Sequence, residues 1–83
     1  MLAHMEGGTM EEFDTVKLVT DEYEDLGLRK GAVGTIIDIV DVPTVPRPGY
    51  TVEFHDVPSD NLEKVKTFEL SEIALVTKCS AHR

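Results

Sequence analysis

Apolar and polar residues alternate along several short stretches of the chain, which is the pattern of a β-strand with one face turned to a core. The clearest example is residues 49–55, in which Tyr50, Val52 and Phe54 share one face. Similar stretches, rich in β-branched residues, occur before and after it. Five strands are predicted in all: residues 14–20, 32–42, 49–55, 62–70 and 73–77.

The segments between these strands carry turn-forming or strand-breaking residues. Residues 21–31 are too short and too polar for a core helix, so they are predicted to form a long loop folded against the sheet. Residues 43–49 contain three prolines, which lack the backbone donor that a central strand needs, and residues 56–61 are a turn cluster. No helix longer than one turn is predicted. The sequence therefore predicts an all-β fold, a small, strongly bent and partly open barrel of five strands.

The alternation also predicts which residues form the core. In the second strand, Val33, Ile37 and Ile39 are expected on one face. Gly34, which has no side chain, permits either a bulge or the close approach of a neighbouring strand. The predicted core residues are Val16, Leu18, Leu28, Val33, Ile37, Ile39, Val52, Phe54, Leu70, Ile73 and Leu75.

The length of 83 residues is that of one domain, and a core this thin leaves little room for a deep substrate pocket. A barrel domain is expected at residues 13–77, between an N-terminal tail or leader at residues 1–12 and a C-terminal tail at residues 78–83. The single cysteine cannot form an internal disulfide, and neither a signal-peptide pattern nor a long apolar run is found. A cytoplasmic location is the default expectation.

The chain is strongly acidic. Sixteen acidic residues against eight basic ones give a formal charge of −8, and much of the excess lies between residues 6 and 25. Such a surface repels phosphate backbones and anionic membranes, and it favours encounter with a basic partner. Solubility alone is an equally good reason for the charge.

No arrangement of residues predicts catalysis. The Gly31-x-x-Gly34 stretch lacks the Lys-Ser/Thr of a phosphate-binding loop. No histidine has a neighbouring nucleophile, and Cys79 with His82 supplies only two of the four ligands that structural zinc needs. No catalytic residue, metal ligand or cofactor is therefore predicted. The Pro-rich stretch is interpreted as a stiff connector, with a ligand for an aromatic groove as the alternative.

Three stretches of the chain carry a family resemblance. Residues 28–37 read Leu-Arg-Lys-Gly-Ala-Val-Gly-Thr-Ile-Ile, residues 49–54 read Gly-Tyr-Thr-Val-Glu-Phe, and residues 67–76 read Thr-Phe-Glu-Leu-Ser-Glu-Ile-Ala-Leu-Val. In order and spacing they resemble a family of small bacterial domains of unknown function with a Src-homology-3-like (SH3-like) barrel. The skeleton is also similar to the barrels of photosystem reaction-centre accessory subunits, of the nitrile hydratase β subunit and of KOW modules. The Pro-rich insertion at residues 43–48 departs from the pattern.

The resemblance implies an SH3-like barrel more strongly than any activity. Members of the unknown-function family look like cognate partners of bacterial toxin-like proteins, which implies a non-catalytic, protein-binding role as an immunity or antitoxin-type inhibitor. The acidity fits this role, because an acidic surface can cover a basic cleft. One alternative is an accessory or structural subunit of a larger enzyme or electron-transfer complex. Another is a KOW-like nucleic-acid-associated module, which the few basic residues disfavour.

The first long loop is the predicted partner-binding site. It places a tyrosine among four carboxylates, which are Asp21, Glu22, Tyr23, Glu24 and Asp25. Tyrosine is common at interface hot spots, carboxylates steer a basic partner, and in SH3-like barrels this loop is one wall of the usual binding surface. The expected partner is another protein with a basic surface, and neither nucleic acid nor a membrane is expected. The simpler interpretation is a solvated loop whose tyrosine caps the barrel.

Overall fold

A computed structural model describes residues 10–79 as one antiparallel sheet of five strands. The strand order is β4-β3-β2-β1-β5, so β2, β3 and β4 form a meander and β1 pairs with both β2 and β5. The predicted all-β, five-stranded and partly open architecture is confirmed, while its assignment to a particular family stays a prediction. The strands are β1 (Thr15–Leu18), β2 (Val33–Val40), β3 (Gly49–Phe54), β4 (Val65–Phe68) and β5 (Ile73–Thr77).

Within the described residues the helical structure consists of three 3₁₀ turns, at Glu24–Leu26, Leu62–Lys64 and Leu70–Glu72. The second of these was predicted as the start of the fourth strand. Asn61 precedes it as an N-cap and accepts a hydrogen bond from the backbone N–H of Glu63 at 2.8 Å, which favours a helical turn there. The fourth strand is therefore shorter than predicted.

One cluster of apolar side chains fills the barrel. Six of the predicted core residues are buried in it: Val16, Leu18, Leu28, Val52, Phe54 and Ile73. Phe68, whose ring packs edge-on against Phe54 at 5.7 Å between centroids, belongs to the same core although it was not predicted there. The inward faces of β1 and β3 therefore follow the sequence alternation.

The prediction for β2 was wrong by one residue at its centre. Ile36 is fully buried, whereas Ile37 is 39% exposed. The pairing with β3 shifts between Ile36 and Asp38. Before this shift the even-numbered residues of β2, such as Ile36, face the core. After it an odd-numbered residue, Ile39, packs against the core. The neighbouring strand β3 does approach Gly34 closely, which is one of the two roles predicted for this glycine.

Two other predicted core residues lie at the surface and not in the core. Leu70 is 40% exposed because it begins a 3₁₀ turn and does not lie in a strand. Leu75 is 38% exposed because β5 lies at the edge of the sheet, with β1 as its one neighbour among the described strands. Residues 1–9 of the predicted N-terminal tail and residues 80–83 of the predicted C-terminal tail, with His4 and His82, lie outside the described residues.

Candidate functional site

The acidic loop is the connection between β1 and β2. Its four carboxylate side chains, Asp21, Glu22, Glu24 and Asp25, are exposed, as predicted for a solvated or partner-steering surface. The 3₁₀ turn Glu24–Leu26 ends at Gly27, whose positive φ of 90° lets the chain reverse. The completely buried Leu28 then fixes the returning strand of the loop in the core.

Tyr23 ties this loop to the sheet. Its ring meets Phe68 edge-on at 5.4 Å between centroids, and the Lys66 Nζ lies 5.1 Å from the ring centroid. Its hydroxyl donates a short hydrogen bond to Oε2 of Glu72. Tyr23 is half-buried by these contacts, so it anchors the loop and leaves only part of its surface for a partner.

The hydrogen bond to Glu72 raises the pKa of the Tyr23 hydroxyl to about 12, with smaller contributions from burial and from the nearby carboxylates of Glu22 and Glu69. The ordinary value is about 10. Because the folded pKa is raised, the resulting stabilisation is complete below about pH 10 and is lost as the pH rises towards 12.

We therefore expect Glu72→Gln to lower the pKa of Tyr23 towards about 10, because it removes the negative charge and keeps an acceptor. The measurement is a phenolate absorbance titration in a Tyr50→Phe background, where Tyr23 is the remaining tyrosine. Glu53→Gln, on the exposed face of β3, is the matched control. An unchanged Tyr23 pKa in Glu72→Gln would contradict the assignment of this hydrogen bond.

Beside Tyr23 lies a groove formed by three connections that are far apart in sequence. An open cleft of about 530 Å³ lies between the acidic loop, the end of the Pro-rich loop, the end of β4 and the 3₁₀ turn before β5. Its lining residues are Thr20, Glu22, Tyr23, Arg47, Pro48, Gly49, Thr67, Phe68, Glu69, Ser71 and Glu72. An adjoining hollow of about 590 Å³ shares four of these and is completed by Tyr50 and Leu70. Together the two hollows are called the loop groove.

The loop groove is acidic at one end and apolar at the other. Glu22, Glu69 and Glu72 contribute three carboxylates, against the single guanidinium of Arg47. Arg47 lies 3.5 Å from Glu69 in an exposed ion pair, a contact of small energetic value. The excess of carboxylates suits a cationic side chain, and the exposed side of Leu70 offers apolar contact area.

The structure places the predicted site residues in two groups. Glu22 and Tyr23 line the loop groove, whereas Asp21, Glu24 and Asp25 are not among its lining residues. Most of the groove residues that the sequence did not predict come from the two other connections: Arg47, Pro48, Glu69, Leu70 and Glu72. Tyr50, in β3, completes the set. The three prolines and the Glu-x-x-Glu spacing of residues 69–72 were visible in the sequence, but nothing there joins them to the acidic loop.

Other chemistry in the described part of the chain is sparse. The exposed His55 shares a 2.8 Å hydrogen bond between its Nε2 and the Thr35 hydroxyl. Within residues 10–79, no group of three or more His, Cys, Asp or Glu side chains is arranged to hold a metal ion. No helix in the same residues is long and apolar enough to cross a membrane.

Comparison of the chain with protein-family models, with curated proteins and with solved structures found no match.

Proposed function

We propose that the protein is a non-catalytic, protein-binding module whose loop groove receives a basic segment of another protein. The observation that carries the proposal is the groove itself, in which three carboxylates from two separate connections line one cavity beside a fixed tyrosine. Charges scattered over a flat, solvated surface would attract a partner but would not hold it in a defined position. A concave acidic site can attract a basic segment and also bind it in a defined position.

The rest of the surface supports the same partner chemistry. The net charge of −8 attracts a basic protein from a distance, and the groove supplies the short-range contacts. Tyr23 is held in place by Phe68 and Glu72, so little side-chain entropy is lost when a partner packs against its free side. The most specific form of this proposal is an acidic inhibitor that covers the basic cleft of a toxin-like protein, supported by the charge and by the family resemblance of the sequence.

The expected result for Glu22→Lys is a loss of about tenfold in affinity for a short arginine-containing peptide, because the new charge repels the peptide inside the groove. The measurement is a titration of the isotope-labelled chain followed by NMR at low salt. Backbone shifts are expected at residues 20–23, 47–49 and 67–72, and binding should weaken as salt is added.

Glu24→Lys is the matched control, since it makes the same charge change in the same loop outside the groove lining. We expect it to weaken binding only about twofold, through long-range electrostatics. Equal losses in the two variants would mean that net charge alone drives the interaction. Shifts confined to another face of the protein would overturn the proposal.

A further inference from the structure

Tyr50 is a buried tyrosine whose hydroxyl group has no hydrogen-bond partner within the described part of the chain. Its side chain belongs to the core cluster and is only 7% exposed. Buried tyrosine hydroxyls normally find a partner, and Tyr23, the other tyrosine of the chain, has one in Glu72. The Tyr50 hydroxyl is therefore available to water or to a polar group of a ligand.

Tyr50 lies in the wall of the hollow of about 590 Å³ at the apolar end of the loop groove, which we call the apolar hollow. Pro48 and Leu70 are the other apolar residues of its lining, and Leu70 is 40% exposed. The core holds the Tyr50 ring in place, so its hydroxyl has little freedom to turn elsewhere. Apolar walls with one fixed polar group are typical of a site that binds an apolar group and sets its orientation.

The charge around the apolar hollow restricts which group can accept a hydrogen bond from Tyr50. Glu69 lines both hollows, and Glu22 and Glu72 line the adjoining cleft. The one cation of the lining, Arg47, already lies 3.5 Å from Glu69. A carboxylate or a phosphate would therefore be repelled. A neutral acceptor, such as the main-chain carbonyl oxygen of a peptide, would not.

The two hollows of the loop groove adjoin each other, because both are lined by Arg47, Pro48, Glu69 and Ser71. Each residue of an extended segment spans at most about 3.6 Å, so two side chains that enter adjoining hollows come from positions close together in sequence. A segment with a basic and an apolar residue side by side therefore matches the acidic and the apolar end of the groove at the same time.

We propose that the apolar hollow is a second subsite, which receives an apolar side chain next to the basic residue of the bound segment while Tyr50 donates a hydrogen bond to a main-chain carbonyl oxygen of that segment. This inference rests on the proposed function and adds the sequence chemistry of the partner, which is an arginine or lysine beside a large apolar residue. Such a subsite lets the groove select one basic segment among many of equal charge.

The test compares two capped peptides of equal charge, Gly-Leu-Arg-Leu-Gly and Gly-Ala-Arg-Ala-Gly, titrated into the isotope-labelled chain and followed by NMR. Leucine on both sides of the arginine covers either direction of the bound segment. We expect the leucine peptide to bind about fivefold more tightly, because its additional carbons are partly buried in the apolar hollow. Both peptides should shift the backbone signals of residues 20–23, and the leucine peptide should in addition shift the methyl signals of Leu70.

Leu70→Ala should reduce the preference for the leucine peptide to below about twofold, since it removes an apolar wall of the hollow. Leu62→Ala is the matched control and should leave the preference unchanged. Leu62 is likewise the first residue of a 3₁₀ turn, is 93% exposed and is not among the lining residues of either hollow. A preference that survives Leu70→Ala, or that is lost in Leu62→Ala, would place the leucine elsewhere and overturn the subsite.

Tyr50→Phe should weaken both peptides about fivefold, because it removes the donor and keeps the ring. Urea unfolding of the free variant should show no loss of stability, since the hydroxyl has no partner to lose within the described residues. Unchanged peptide affinity together with lower stability would show a structural role for the hydroxyl and would contradict the proposal.

The same titrations separate the subsite from the proposed function on which it rests. If the two peptides bind equally well and both shift residues 20–23, the groove receives a basic segment but the second subsite does not exist. If neither peptide shifts these residues, the proposed function fails and the subsite fails with it.

Discussion

Replacing Gly34 by alanine is expected to lower the free energy of unfolding by about 3 kcal/mol, at the upper end of the range for overpacking a core. A Cβ atom at this position would lie 2.6 Å from both the backbone oxygen of Glu53 and Cγ1 of Val52. The Glu53 carbonyl belongs to the backbone of β3, and Val52 is a completely buried, β-branched side chain, so neither atom can move aside freely. Gly34 pairs with Phe54, so relieving the clash separates the two strands that form the centre of the sheet.

Gly31→Ala is the matched control for this substitution. Gly31 has a positive φ of 94°, and apart from its two chain neighbours no described residue has an atom within 4 Å of the place where its Cβ would be. Alanine there is strained only in its backbone, which costs about 1 kcal/mol. Urea unfolding of the two variants separates the two effects. If Gly34→Ala were no less stable than Gly31→Ala, the close approach of β3 would not be what requires a glycine.

The sequence alternation predicted most of the strands because each has a single buried face. In β3, Tyr50, Val52 and Phe54 are the three buried side chains, and the strand begins at Gly49 as expected. β5 was predicted with its observed bounds, since a polar turn precedes it and its apolar run ends at Thr77. Where turn residues and alternation agree, local sequence determines both the strand and its face.

The same reasoning failed in β2 because the sequence there supports two faces equally. Ile36 and Ile37 are adjacent and equally apolar, so period-two counting cannot say which one is buried. The register shift against β3 decides it, and the shift depends on a pairing partner far along the chain. The pairing of β2 with β3, and not a local preference of the sequence, therefore determines which face of β2 points into the core.

The loop groove was only half predictable for a related reason. The acidic loop was recognisable from its composition, and Glu22 and Tyr23 do line the groove. Arg47 and Glu72 reach it only because the sheet brings three connections to the same place. The hydrogen bond from Tyr23 to Glu72 spans 49 residues of sequence, and no spacing rule joins residues so far apart.

Asp14 is the residue whose role was least visible in the sequence, where it appears as one more acidic residue in an acidic segment. In the structure its side chain is completely buried. Oδ2 accepts hydrogen bonds from the Glu11 backbone N–H and from Lys78 Nζ, both at 2.9 Å, and Oδ1 accepts one from the Cys79 backbone N–H at 2.8 Å. The Asp14 carboxylate thus connects the turn before β1 with the segment after β5 through hydrogen bonds.

The second large effect is expected for Asp14→Ala, which should lower the free energy of unfolding by about 3 kcal/mol at neutral pH. The substitution removes one ion pair and leaves the backbone N–H groups of Glu11 and Cys79 without their acceptor. Asp14→Asn keeps the shape and one acceptor oxygen, so its loss should be smaller, about 2 kcal/mol. Asp38→Asn, at an exposed position on β2, is the control that should change little.

The loss in Asp14→Asn should also depend on pH. Burial by itself raises the pKa of the Asp14 carboxyl, but the hydrogen bonds from Cys79, Lys78 and Glu11 outweigh it and hold that pKa below its ordinary value. A lowered folded pKa means that the stabilisation is complete above the unfolded value of about 4 and is lost as the pH falls through the folded value. Urea unfolding at a series of pH values should therefore show the gap between the native chain and Asp14→Asn closing below about pH 4. If the difference in the free energy of unfolding stayed constant from neutral to acidic pH, the charge of Asp14 would not be what stabilises the contact between the turn before β1 and the segment after β5.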